Sequence, residues 1–208
     1  MRFLPAYASA MMNRAAGRLA EARRDFAAAR DFAAAGGMSG QELAAETNVA
    51  ETALMMGDVD YAIAVNRDLA QPLASSRDRL FYTFALAGLT TSLLFKNDVG
   101  AAREAFVIAA PLILRYDLGF RYADTAALLA ALQGRMEAAA RMLGYSDAAF
   151  VAHADDARDP NEATARGKVM QRLSETQAAA DIERWIREGT RLSDEDAYRL
   201  ALAPATAG

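Results

Sequence analysis

The chain has 208 residues, 53% of them apolar, with 23 Lys and Arg against 27 Asp and Glu, one histidine and no cysteine, which suits one compact domain or a short solenoid rather than a disordered tail. Without cysteine there is no disulfide framework, thiolate metal site or cysteine nucleophile, and with no signal-peptide pattern the expected location is the cytoplasm. A formal charge of −4 gives no general attraction to nucleic acid or anionic lipid, and no run of eighteen apolar residues is free of charge, so neither a membrane span nor direct nucleic-acid binding by this chain is expected.

Alanine is abundant, proline is scarce and no window is dominated by β-branched residues, so helix is expected almost throughout and the fold class is all-α. In chain order, apolar periodicity predicts helix pairs over 3–16 with 18–35, 40–56 with 58–74, 77–96 with 98–117, and 119–133 with 135–143. The breaks within these pairs fall at Gly17, Gly57, Asn97 and Gly134, which stand 40, 40 and 37 residues apart. Glycine or asparagine there accepts the left-handed backbone that ends a helix.

The surrounding positions repeat as well. Two residues after the breaks come Leu19, Val59, Val99 and Met136; five after, Ala22, Ala62, Ala102 and Ala139; nine after, Phe26, Asn66, Phe106 and Leu143; seven before, Ala10, Ala50, Thr90 and Ala127. Antiparallel helices approach closely only where small residues face each other near the turn, and a large apolar side chain one turn on fills the space towards the next hairpin. Between hairpins, Gly36-Gly37 ends one helix and Ser39 with Glu42 reads as a capping box for the next. Pro72 and Pro111 lie inside or late in second helices, where bends are expected.

After Gly144 the repeat is expected to stop. Asp159, Pro160 and Glu162 then form a helix start with a cap, a first-turn proline and a carboxylate near the positive end of the dipole, opening a helix over about 160–175. Ile182, Trp185 and Ile186 mark a helix ending near Gly189, and Ser193 with Asp196 caps a last helix carrying Ala197, Leu200 and Leu202. The implied organisation is four hairpins over 1–144, capping helices over 145–203 and a frayed tail over 204–208.

Gly57-Asp58-Val59-Asp60-Tyr61-Ala62 and Asn97-Asp98-Val99-Gly100-Ala101-Ala102 resemble the turn and second helix of the tetratricopeptide repeat, although the family's aromatic in the first helix is replaced by Ala6, Glu46, Leu86 and Ala123. The resemblance implies a right-handed superhelix of antiparallel hairpins, an α-solenoid with a C-terminal helical cap. The period exceeds the family's usual length of about 34, so longer helices are expected. Residues 138–144, Asp159-Pro160-Asn161-Glu162, Trp185-Ile186-Arg187-Glu188-Gly189 and 192–197 are similar to the closing segment of large bacterial regulators. In those proteins a winged-helix domain or a nucleotide cyclase and a predicted signalling ATPase precede a tetratricopeptide-like array. This second resemblance implies a C-terminal fragment of a longer transcriptional or signalling protein.

In such an array the first helices of the hairpins line a concave face. Residues ten, six and thirteen before the breaks give Thr47 and Asp124, Glu51 and Thr91, and Phe84 and Arg121 as candidate ligand or partner contacts. The family's clamp for a peptide carboxylate requires Lys or Arg with Asn in successive first helices, and those registers hold Ala44, Asn48, Glu51 and Ala87, so that role is not expected. His153 beside Asp155 and Asp156 could do acid-base work but reads as a solvated helix end, and Asp194-Glu195-Asp196 reads as a helix first turn rather than a metal site. Met11-Met12 and Met55-Met56 read as core filling rather than an adaptable binding surface. Trp185 reads as a cap anchor, and Arg14, Arg18, Arg23 and Arg24 as a solvated face.

The expected function is a non-catalytic sensor or interaction domain, with no cofactor and no metal. It would bind a protein, a peptide or a small effector, and the uncapped first hairpin leaves room for a homodimer. The alternative is a freestanding scaffold or adaptor. A helical enzyme would require His153 to be buried beside a carboxylate in a pocket.

Overall fold

The computed structural model describes residues 2–153 and 157–204. Among these there are eleven helices and no strand: α1 (Phe3–Ala15), α2 (Leu19–Ala35), α3 (Ser39–Met55), α4 (Val59–Leu73), α5 (Arg79–Phe95), α6 (Val99–Arg115), α7 (Gly119–Leu132), α8 (Met136–Ala152), α9 (Pro160–Thr176), α10 (Ala179–Gly189) and α11 (Asp194–Leu202). No described helix is long and apolar enough to cross a membrane. The chain forms two compact units, residues 1–92 and 93–208, with α5 running across the boundary.

The turns explain the regularity. Gly17, Gly57, Asn97 and Gly134 all have positive φ, between 64° and 81°, as their place after each helix predicts. Gly37 and Asp117 adopt the same conformation between hairpins, with φ of 66° and 56°. At Gly57 the N–H donates to the Leu54 carbonyl at 3.0 Å and the next N–H, of Asp58, donates to Ala53 at 2.9 Å. The same pair of bonds closes the turns at 17, 37, 97, 117 and 134, satisfying carbonyls that a helix end leaves unpaired. From Gly17 to Asp117 these turns therefore recur every 20 residues, a half-period hidden within the interval of 40. The exception is near 77, where α4 ends at Leu73, one residue beyond Pro72, and no positive φ follows.

The packing register follows the sequence. Ala22, Ala62, Ala102 and Ala139 are buried, as are Ala10, Ala50, Thr90 and Ala127, and Phe26, Asn66, Phe106 and Leu143 behind them. Burying a phenylalanine side chain contributes about 2 to 3 kcal/mol, so Phe26 and Phe106 are principal anchors of their hairpins. In the second hairpin Asn66 replaces the aromatic. Its amide donates to the Ala62 carbonyl at 2.9 Å, and a Cβ at Gly88 would lie 2.8 Å from its Oδ1, so the polar side chain is matched by a missing one on α5.

Several expectations are corrected. Ser39 is the first residue of α3 rather than its cap: the turn at Gly37 leads straight into the helix, Met38 takes the cap position, and no side chain caps that end. The capping box forms instead at α9, where Asp159 accepts from the Asn161 and Glu162 N–H groups and Glu162 accepts from Asp159 N at 2.8 Å. Met12 is 70% exposed and Met11 and Met56 more than 40%, so these methionines do not fill the core. Pro72 and Pro111 do lie inside α4 and α6, on exposed faces, so the carbonyl each deprives of an N–H partner is on the solvent side.

Gly144 does not end a helix. α8 continues to Ala152, and α10 crosses it so closely that a Cβ on Gly144 would lie 1.9 Å from the Ile186 carbonyl oxygen, and one on Gly189 1.9 Å from that of Arg141. Two glycines let two backbones touch. Ile182 of α10 is buried and Trp185 half-buried. α11 packs against α6, α7 and α8. Its Tyr198 is buried, stacks on Phe106 at 5.8 Å and donates its hydroxyl to the Gly119 carbonyl at 2.9 Å. Arg135 donates to the Leu200 and Ala201 carbonyls and Arg103 to that of Leu202. Cations thereby close the negative end of the last helix.

Candidate functional site

In residues 1–92, a polar network joins the first helices of the first two hairpins. Asn48 donates to the Tyr7 hydroxyl at 2.9 Å, and Arg14 donates to Asn48 at 2.8 Å and to Glu51 at 2.5 Å. Arg23 pairs with Asp58 at 2.9 Å with its guanidinium 4.0 Å from the Tyr61 ring. Arg14 and Arg23 therefore bridge hairpins, which corrects the expectation of a solvated basic face. Burial pushes the Tyr7 hydroxyl up, with Arg14 pulling against it.

A cleft of about 270 Å³ lies between α2, α3 and α4, lined by Arg30, Glu42, Leu43, Glu46, Val65, Asp68 and Leu69. Leu43, Val65 and Leu69 supply its apolar lining. Arg30 donates to Glu46 at 2.9 Å and to Asp31 at 2.7 Å, which leaves Glu42 and Asp68 as carboxylates with no side-chain partner among the described residues. Glu42 and Glu46 are one helical turn apart on α3, which puts them on one face.

In residues 93–208, Asp124 of α7 is 1% exposed and receives Arg158 Nε at 2.6 Å, while Arg166 Nη1 lies 3.5 Å from its other oxygen. Arg158 also donates to Ser146 at 3.0 Å and to Asp147 at 2.7 Å, and its guanidinium lies 4.5 Å from the Phe150 ring. Arg166 reaches the second oxygen of Asp147 at 2.8 Å. Burial raises the Asp124 carboxyl against the pull of both arginines. Glu162, 3.8 Å from Arg121, is pushed up to about 8, first by burial and then by the charge of Asp159. The cluster fastens α9 to α7 and α8.

The sequence candidates separate accordingly. Thr47 turns its hydroxyl to its own helix, donating to the Leu43 carbonyl at 2.9 Å, one turn from the cleft. Glu51 belongs to the Arg14 network. Phe84 is half-buried with its ring 6.1 Å from Phe81, and Thr91 is buried with its hydroxyl bonded to Ala87 at 3.0 Å. Arg121 and Asp124 meet in the cluster around Glu162. His153 is exposed and stacks on Phe120 at 4.1 Å; Asp155 and Asp156, its proposed partners, lie outside the described residues. The described residues hold no group of three or more side chains placed to bind a metal.

Periodicity points to Thr47 and Glu51 of α3, whereas the cleft is lined by Glu42, Leu43 and Glu46 of the same helix. The available signal was the spacing of Glu42 and Glu46 one turn apart on α3, flanking Leu43, with Asp68 and Leu69 adjacent on the following helix. Arg158 and Arg166 carried no such signal, because their partners lie 34 and 42 residues earlier at Asp124. Comparison with protein-family models, with curated proteins and with solved structures returns no match for this chain.

Proposed function

We propose that this chain is a non-catalytic interaction or sensor domain, built as a tetratricopeptide-like array and serving a bacterial signalling or transcriptional regulator. The observation that carries the reading is the cleft between α2, α3 and α4, where Glu42 and Asp68 stand unpaired around Leu43, Val65 and Leu69. Unpaired carboxylates beside apolar lining residues suit a ligand with a cationic head and an apolar body, such as an arginine-containing peptide or a small amine effector. The stem would cover the leucines while the head meets the carboxylates, leaving Arg30 and Glu46 to hold the wall.

A ligand at this position touches three successive helices, so it favours whichever spacing of the hairpins fits it best. Signalling then follows as a population shift passed to attached domains. The test is calorimetric titration with acetyl-Leu-Arg-Leu-amide at low salt. Saturable binding that weakens at least tenfold in the Glu42→Gln/Asp68→Asn double variant supports the reading. No binding, or equal binding to both proteins, removes the cleft as the site.

A further inference from the structure

α1 is apolar on its outer side as well as on its inner one, where Ala6 and Ala10 are buried. Its polar side chains Tyr7, Ser9, Asn13 and Arg14 all turn towards the protein. Ser9 donates to Asp25 at 2.6 Å, Asn13 to Asp25 at 2.9 Å and Arg14 to Glu51 at 2.5 Å, while Tyr7 accepts from Asn48 at 2.9 Å. The side turned to water consists of Leu4, Pro5, Ala8, Met11, Met12 and Ala15, every one exposed. Leu4 is 75% and Met12 70% exposed. A surface helix ordinarily turns polar residues to water, and a contiguous exposed apolar face of this kind marks a contact with another apolar surface.

The arrangement of large and small side chains says what covers it. At about 100° per residue, Ala8 lies at the centre of the exposed face. Leu4 and Met12 sit four residues to either side of it and Pro5 and Met11 three to either side, so the face is symmetric in shape about Ala8. Two copies of α1 laid antiparallel across a two-fold axis would therefore bring Ala8 against Ala8, letting the backbones approach. Leu4 of each copy then meets Met11 of the other along one edge, and Pro5 meets Met12 along the opposite edge. The face carries no charge, so a self-facing pair escapes the like-charge repulsion that usually forbids isologous contact.

We propose that the outward face of α1 is a homodimer interface, an assignment independent of the cleft. A helix of 13 residues is about 20 Å long, and two such faces with their margins cover on the order of 1,000 Å², the lower bound for a specific contact. The dimer is accordingly a weak one, populated at micromolar concentrations and above.

Because the chain has no cysteine, the axis can be located directly. Sedimentation velocity from about 1 to about 300 μM shows a reversible monomer–dimer shift for the wild type. It shows a monomer throughout for Met12→Glu, a change at an outward position that leaves the helical circular dichroism intact. Under mild oxidation Ala8→Cys forms a disulfide-linked dimer, because a two-fold axis at that residue brings the two Cβ atoms to about 4 Å, while Ala20→Cys, exposed on α2, does not. A wild type that stays monomeric across the range overturns the proposal, and so does cross-linking that is equal at positions 8 and 20.

Discussion

In residues 1–92, Arg14 reaches Asn48 and Glu51 and Arg23 reaches Asp58, contacts 34 to 37 residues apart that join one hairpin to the next. In residues 93–208, Arg135 reaches Leu200 over 65 residues, Tyr198 reaches Gly119 over 79 and Arg103 reaches Leu202 over 99. The first unit repeats a local solution. The second closes on itself, with α9, α10 and α11 returning to helices already formed. The difference teaches that a helical repeat is ended by partners remote in sequence, fixed by glycine contact and by arginine, rather than by another turn of the same pattern.

The comparison is broken most severely at the backbone crossing. Gly144→Ala forces a methyl against the Ile186 carbonyl and is expected to cost about 4 kcal/mol. Hydrogen exchange should accelerate in 93–204 and stay unchanged in α1 to α4. Equal acceleration in both would mean that the two units do not keep separate stabilities.

Next comes Arg158→Ala, which strips Asp124 of its closest cation and leaves the buried carboxylate with Arg166 as its remaining cation. A loss of about 3 kcal/mol is expected in chemical denaturation. Arg14→Ala, which breaks a half-exposed pair on the repeating side, should cost no more than about 1 kcal/mol.

A smaller, pH-dependent effect belongs to Glu162. Its carboxyl is raised in the folded protein to about 8 from an ordinary 4.5, so its neutral form is the one the fold favours. The associated stability is complete below about pH 4.5 and is lost as pH rises towards 8. Glu162→Gln keeps an oxygen acceptor for the Asp159 N–H without the charge. Its melting temperature should therefore fall less between pH 5 and 8 than that of the wild type. Parallel curves would show that Arg121 and water keep Glu162 near its ordinary value.

The smallest contrast concerns the helix caps. Asp159→Ala removes a side chain that accepts two backbone N–H bonds and should cost about 1 kcal/mol. Ser39→Ala removes none and should stay within about 0.5 kcal/mol. Equal losses would mean that Ser39 caps α3 in solution after all.

The sequence made the hairpins legible because their determinants are local. Gly17, Gly57, Asn97 and Gly134 sit where a left-handed residue must, and alanine and phenylalanine recur at fixed distances from them. The candidate site was less legible. Thr47 and Glu51 share α3 with Glu42, Leu43 and Glu46, which line the cleft, yet periodicity does not point to that lining, because which side of α3 stays open depends on α2 and α4. Asp124 reads from the sequence as a ligand contact and is engaged by Arg158, a residue in the connection before α9 with no fixed spacing to it. The methionines of α1 misled for a related reason: their apolarity is a property of the sequence, but whether anything covers them is not.

Alone, the chain of amino acids determined the helical class, the turn positions and the register of small and large residues, since each is set by backbone preference and by contacts within about one hairpin. Only the tertiary structure decided that Gly144 is a crossing point, that Arg103 and Arg135 close α11, and that α1 leaves a second apolar face uncovered. Those outcomes depend on which distant surfaces meet, and a hydrophobic period specifies that a face is to be buried without specifying against what.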